Sequence, residues 1–419
     1  MSKNIAAIIL AAGRGERMKS DLVKVLHPLC GRPMLGYVLD CVNELKINKA
    51  IAVLGHKHAE IRGLLNPRIK IVIQKRLQGS ADAVRQTQSL LKKFPGIVLV
   101  LYADNPLLKK DTLKKLLQYH RDNEPEVTLL TAKVKNPSGY GRILRDKYAS
   151  ISRIVEEKDA DSFQKDIKEI NIGCACFNAQ KLFAALKKVR RNNRKKEYYL
   201  TDVIEIIYKE GGRVESVKLL DPTEGQGINS RSDLAKANRI MQARIIQEHL
   251  ENGVGVVDPQ TTFIDWGVAI GADTRIYPFT VIERDVKIGK RCSIGPFAHL
   301  RPGTTIEGES VVGNFVELVR CKVSRYTLAK HFCYLGDTKV GSNVNIGAGV
   351  VTANFDGKKK HTSIIKDKAF LGCDTVLVAP VKIGKGAVTG AGAVVPKNKN
   401  VADHTVVVGM PARVIKKRG

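Results

Sequence analysis

From Ile264 to Leu318 an aliphatic side chain stands at every sixth position: Ile264, Ile270, Ile276, Ile282, Ile288, Ile294, Leu300, Ile306, Val312 and Leu318. The spacing resumes at Ile365, Leu371, Leu377 and Ile383 and reaches Val395 through Thr389. A period of six suits neither a helix, whose faces repeat near 3.6, nor a strand, whose faces repeat at 2. It is the hexapeptide repeat of a parallel β-helix, in which one residue per short strand fills the inside of a triangular prism. Glycine often follows the inward residue, as at Gly271, Gly289, Gly295 and Gly384, and supplies backbone freedom at the corners. Two interruptions, Val319 to Val340 and Ala353 to Ser363, are where side chains are expected to leave the coil for chemistry.

The first half follows another rule. Short apolar runs at Ile5–Leu10, Ala50–Leu54, Lys70–Ile73 and Ile97–Leu101 alternate with helical patterns. That order predicts a mostly parallel sheet with helices on both faces. From Ser230 the spacing of Leu234, Ala237, Met241 and Ile245 predicts a helix, opened by a capping box of Ser230 and Asp233. The expected division is therefore 1–229, a linking helix over 230–253, and the coil over 254–419.

The net charge is +29, carried by 70 Lys and Arg against 41 Asp and Glu. The cations are spread along the chain, with short clusters at Lys187 to Lys196, Lys358 to Lys360 and Lys416 to Arg418. No RNA-binding signature accompanies them, so a surface that attracts anionic substrates is expected, with no specific nucleic-acid partner. No apolar stretch of about 18 residues occurs, which excludes a spanning helix and predicts no membrane partner. Eight cysteines without a CxxC spacing read as reduced thiols in a cytoplasm.

Leu10 to Met18, LAAGRGERM, follows the first apolar run. A glycine-rich turn after a strand leaves backbone N–H groups free to meet phosphates, and Arg17 and Lys24 add cations. This motif, followed by Lys24-Val25-Leu26-His27, resembles the sugar-1-phosphate nucleotidyltransferases. With the coil behind it, the chain resembles the bifunctional N-acetylglucosamine-1-phosphate uridyltransferase/glucosamine-1-phosphate acetyltransferase family from about Ala6 to Val395. The resemblance implies a Rossmann-like domain followed by a left-handed β-helix, Mg²⁺ as cofactor, UTP and acetyl-CoA as substrates, and a homotrimer. A nucleotidyltransferase of single activity with a structural or regulatory coil is the alternative.

Carried over by resemblance, Leu10, Ala11, Ala12, Gly13, Lys24, Gln74, Gln78, Gly79, Ser80 and Tyr102 correspond to the nucleotide site. Gly141, Glu156, Asn171 and Thr201 correspond to sugar-binding positions, and Asp104 and Asn229 to the metal ligands. Lys24 and Arg17 would stabilise the α-phosphate and the departing pyrophosphate. In the coil, His331 corresponds to the general base, and Arg301, Tyr334, Asn345 and Lys360 to the sugar-phosphate grip. Ala348, Asn354, Phe355, Cys373 and Ala391 correspond to the acetyl-CoA groove. Five residues depart from the family pattern: Val23 stands for a proline, Ser80 for a threonine, Val319 for a lysine that grips the sugar phosphate, Phe355 for a tyrosine, and Cys373 for a serine.

Overall fold

A computed structural model describes residues 4–47, 49–55 and 57–417, so Arg418 of the last basic cluster lies outside the described residues. The chain divides into two compact units. One comprises Pro33–Asn238 and the residues up to Leu29; the other comprises Cys30–Arg32 and the residues from Arg239 onward.

The first unit is built on a nine-stranded sheet. Its strands are β1 (Ile5–Ala11), β2 (Lys49–Leu54), β3 (Lys70–Ile73), β4 (Ile97–Tyr102), β5 (Val127–Lys133), β6 (Arg142–Arg145), β7 (Ile151–Val155), β8 (Glu169–Asn178) and β9 (Val214–Lys218). The order is β9-β5-β8-β4-β1-β2-β3, with β6 paired to β8 and β7. The block from β4 to β3 is parallel, as the alternating runs predict, whereas β8 runs antiparallel to its neighbours β4 and β5.

Both faces of β1 are buried. Ala6, Ile8 and Leu10 join one apolar cluster with α2 (Ser80–Arg85), while Ala7, Ile9 and Ala11 join the other with α1 (Met34–Glu44) and α3 (Lys110–Asn123). Each fully buried aliphatic chain contributes about 1.5–3 kcal/mol, which fixes β1 as the centre of the sheet. Chain order reverses between β1 and β4, and a parallel sheet opens a crevice at the carboxyl ends of such a pair.

The helix foreseen after Ser230 is α4 (Arg231–Glu251). Its first turn is capped as expected: the Asp233 carboxylate accepts from Ser230 N–H at 2.9 Å and the Asp233 N–H donates to Ser230 Oγ at 3.2 Å. Residues to Asn238 count with the first unit and those from Arg239 with the second.

The second unit coils through three sheets of ten, eight and seven strands, here the first, second and third sheets. Consecutive short strands go to the three sheets in turn, and the repeating aliphatic residue of each points inward. Ile264, Ile276, Ile294, Leu300 and Leu318 are 0% exposed. Thr405–Val408 is the last parallel strand of the first sheet, and Arg413–Lys417 then pairs with it antiparallel and exposed.

The interruption expected at Val319 to Val340 is not a break. Leu318 pairs with Leu335 and Val323 with Val340, so the sheets run straight through it. The inward spacing shortens by one residue twice, and the corners absorb both deletions. Only the second interruption leaves the coil. Between Val351–Ala353 and Ser363–Ile365 the chain forms a small loop, in which Asp356 Oδ1 accepts from the N–H groups of Lys358 and Lys359 at 3.0 and 2.9 Å. His361 Nε2 lies 2.5 Å from Asp356 Oδ2.

Candidate functional site

The crevice at the ends of β1 and β4 is a cleft of about 1130 Å³. Leu10, Ala11, Ala12, Gly13, Arg17, Lys24, Gln74, Gly79, Ser80, Tyr102, Asp104, Glu156 and Asn229 line it. The glycine loop is followed by one 3-10 turn, Glu16–Met18. The N–H groups of Gly13, Arg14 and Gly15 find no backbone acceptor among the described residues.

Three polar groups far apart in sequence meet on the floor. Lys24 Nζ donates to Asp104 Oδ2 and, at 2.7 Å, to Asn229 Oδ1. Lys24 is buried, and a buried ammonium needs such oxygen partners. Both oxygens are hard donors converging on a point that already accommodates positive charge. Mg²⁺ takes oxygen ligands and is commonly held by one or two protein groups, the rest being water and phosphate, so the donor set fits that ion. No group of three or more His, Cys, Asp or Glu suited to a metal occurs among the described residues.

Gly15, which the sequence reading did not single out, matters more sterically than Gly13. It has φ +70°, and a Cβ there would lie 2.6 Å from Lys24 Cβ, whereas a Cβ on Gly13 meets nothing within 4 Å. Gly15→Ala is therefore expected to lower stability by about 1–2 kcal/mol and to displace Lys24; Gly13→Ala should change the thermal midpoint little. Paired melting curves check this.

Gln74 Nε2 donates to Gly79 O at 3.1 Å and to Asp82 Oδ2 at 2.7 Å, which holds the turn before α2. Ser80 Oγ accepts from Leu200 N–H at 2.9 Å, and Gln78 O accepts from Tyr198 N–H at 2.8 Å. Gln78, Gly141, Asn171 and Thr201 are not among the residues that line the cleft. Thr201 Oγ1 donates to Glu156 Oε1 at 3.1 Å, and Asn171 N–H donates to Gly141 O at 2.8 Å. Burial raises the pKa of Glu156, against the Thr201 hydrogen bond. Burial, then the nearby Glu156, raises Asp202 to about 6. Lys158, Lys195, Glu197 and Tyr199 also line the cleft; the sequence reading missed them, Lys195 because it was absorbed into a basic cluster.

In the coil, His331, Ala348, Cys373 and Ala391 occupy one column. Each lies two residues beyond an inward residue of the first sheet: Ala329, Ile346, Leu371 and Thr389. Backbone bonds join the rungs, Gly349 N–H to Phe332 O, Asp374 N–H to Ala348 O and Gly392 N–H to Cys373 O. His331 is thus exposed on a regular corner and not at a break, and no hydrogen-bond partner holds its ring among the described residues.

The corner beyond carries a second group. Arg320 grips Asp337 with two bonds, Nε to Oδ1 at 2.6 Å and Nη2 to Oδ2 at 2.8 Å, and Asn354 Nδ2 donates to Asp337 Oδ2 at 2.5 Å. Tyr334 Oη reaches Asn354 Oδ1 at 3.5 Å. The Arg320 hydrogen bond is the largest influence lowering the Asp337 pKa, and Lys360 adds to it. Val319 is buried, and the guanidinium of its neighbour Arg320 is engaged with Asp337. Arg301 donates to Glu317 Oε1 at 2.8 Å on the outer face of the second sheet, where His299 Nε2 lies 2.7 Å from Glu283 Oε1. Phe355 is exposed and bridges to Lys360. Asn345 is apart from these, on the outer face of the first sheet. The Cys333 thiol is buried and pushed up to about 12, which leaves it inert as a nucleophile.

The sequence matches the family model of the MobA-like NTP transferase domain over residues 7–172 and that of the bacterial transferase hexapeptide, six repeats, over residues 267–301. Fold and cleft together define an NTP transferase domain joined to a hexapeptide-repeat coil. The chain is 42% identical to the bifunctional protein GlmU of Geobacillus sp. (strain WCH70), over 93% of this chain and 92% of that one. It is 41% identical to the bifunctional protein GlmU of Geobacillus thermodenitrificans and 39% to that of Acetivibrio thermocellus, each over 98% of this chain and 96% of the relative. The chain belongs to the family of the bifunctional protein GlmU.

Proposed function

We propose that the chain makes UDP-N-acetylglucosamine in two steps at two sites. The observation that carries the reading is the meeting of Lys24, Asp104 and Asn229 in the cleft of the first unit. There UTP and N-acetylglucosamine 1-phosphate react. A sugar-phosphate oxygen attacks the α-phosphorus, the bond to the β-phosphate oxygen breaks, and pyrophosphate leaves. The nucleophile is already an anion, so the protein supplies alignment and charge rather than a base. The free N–H groups of the glycine loop and Arg17 face the phosphates; Thr201, Glu156, Asn171 and Gly141 support the sugar end. Asp104 and Asn229 would hold Mg²⁺, which when bound neutralises phosphate charge.

The coil supplies the substrate by acetyl transfer. The amine of glucosamine 1-phosphate attacks the thioester carbonyl of acetyl-CoA, His331 takes the ammonium proton, and the thiolate of CoA leaves. Arg301, Tyr334 and Lys360 face the sugar phosphate, and the column Ala348, Cys373 and Ala391 lines the acetyl-CoA groove beside His331. Asn345 belongs to a different face of the prism from Arg301 and Tyr334, which supports a site completed by a second copy and hence a homotrimer. The activities divide between 1–229 and 254–419. No disulfide forms among the described residues, in keeping with a cytoplasmic setting. No helix among the described residues is long and apolar enough to cross a membrane.

The test is to supply purified chain with UTP, N-acetylglucosamine 1-phosphate and Mg²⁺, and separately with acetyl-CoA and glucosamine 1-phosphate. Pyrophosphate and free thiol are expected respectively; uridyl transfer alone would leave the coil a structural or regulatory role.

A further inference from the structure

The three faces of the coil are not alike. The outward residue before each inward one reads, along the seven strands of the third sheet, Ala269, Lys287, Thr305, Lys322, Lys339, Ile364 and Lys382. At the matching positions on the parallel strands of the other two sheets the only Lys or Arg is Arg275. Lys322 and Lys339 are direct register partners, about 4.8 Å apart along the ladder. Like charges set opposite each other in a sheet are destabilising, so folding does not explain the row. Lys322 has Glu307 at 3.5 Å; Lys287, Lys339 and Lys382 have no ion-pair partner among the described residues, and all four are exposed.

We infer that this face is a docking surface for an anionic lipid bilayer. The shape points to a planar partner. Gly271, Gly289, Gly341 and Gly384 occupy four of the seven positions just past the inward residues, where a Cβ would strike the next coil within 2.7 Å, so side chains stand there only at Glu307, Ser324 and Lys366. The chemistry points away from nucleic acid. None of the seven outward residues is aromatic, so bases have nothing to stack on. All four cations are lysines, which act as mobile point charges, rather than arginines, whose fixed fork matches a single phosphate. Lipid headgroups are diffuse, mobile and planar, and juxtaposed basic residues hold to them additively. Within a charge that is otherwise dispersed, these four lysines stand in one row, and the surface association inferred here needs no spanning segment.

The experiment is sedimentation of the full chain with vesicles of phosphatidylcholine alone, or with phosphatidylglycerol added, at low and physiological salt. Binding is expected only to the anionic vesicles and weakens as salt is raised. The triple variant Lys287→Glu, Lys339→Glu, Lys382→Glu should lose roughly a hundredfold or more in vesicle affinity, with uridyl transfer unchanged. The control Lys92→Glu, Lys114→Glu, Lys187→Glu carries the same change in net charge on exposed lysines of the first unit and should bind nearly as the parent does. Equal losses in the two variants, binding to neutral vesicles, no binding at low salt, or tighter binding to duplex RNA than to anionic vesicles would each overturn the inference.

Discussion

His331→Ala should lower acetyl transfer by about two to four orders of magnitude, the range a positioned general base supplies, and leave uridyl transfer at the parent rate. The ring stands exposed on a corner of the coil, and no partner among the described residues depends on it. Its removal creates no cavity and orphans no buried group, so the thermal midpoint should hold within the small range of surface substitutions. Initial rates of both half-reactions on one preparation make the comparison. A parallel fall in both activities, or an unchanged rate of thiol release, would remove His331 from the role of base. The same preparation also addresses Val319: with Arg320 committed to Asp337, KM for glucosamine 1-phosphate in the parent chain should already be high.

Asp104→Ala should have the opposite selectivity, cutting uridyl transfer roughly a thousandfold or more and sparing acetyl transfer. Removing one preorganised electrostatic group from an active site costs about 10²–10³ in rate. Here the carboxylate has two tasks, because it partners the buried Lys24 ammonium and would hold Mg²⁺. Taking away one member of a buried, hydrogen-bonded charge pair is itself destabilising by about 3–5 kcal/mol, and Lys24 is mostly buried. Asp104→Asn, which keeps an oxygen near Lys24 Nζ and removes the charge, separates the effects. It should retain more stability than alanine while remaining deficient in uridyl transfer, as melting curves and pyrophosphate release will show.

What could be read in advance depended on how local the signal is. The inward positions of the coil are periodic, so Ile264 through Leu318 announced both the fold and its burial. Two corner deletions after Leu318 preserve the geometry and destroy the period, which made an intact stretch look broken and placed His331 at a rupture that does not exist. The glycine loop and the capping box at Ser230 are likewise local. The meeting of Lys24 with Asp104 and Asn229 spans 80 and 205 residues; only resemblance brought those names together, since no spacing encodes a contact made by a folded sheet. Lys195 and Tyr199 reach the cleft from a segment without regular structure, which carries no periodic mark. The lysine row was hidden for the same reason as the intact corner: its members fall into line only once each rung is counted correctly.

A stack of parallel rungs has no intrinsic length. Every exposed end offers hydrogen-bonding groups to another strand of the same kind, so such an edge invites end-to-end growth between molecules. In the first sheet Arg413–Lys417 turns back against Thr405–Val408 and breaks the parallel pattern. An incoming parallel strand therefore meets a reversed, fully exposed strand carrying Arg413, Lys416 and Lys417, mismatched in direction and repelled when it bears the same charges. The fold thus carries its own terminator on that sheet, which keeps a repetitive architecture a discrete molecule instead of the seed of a fibre.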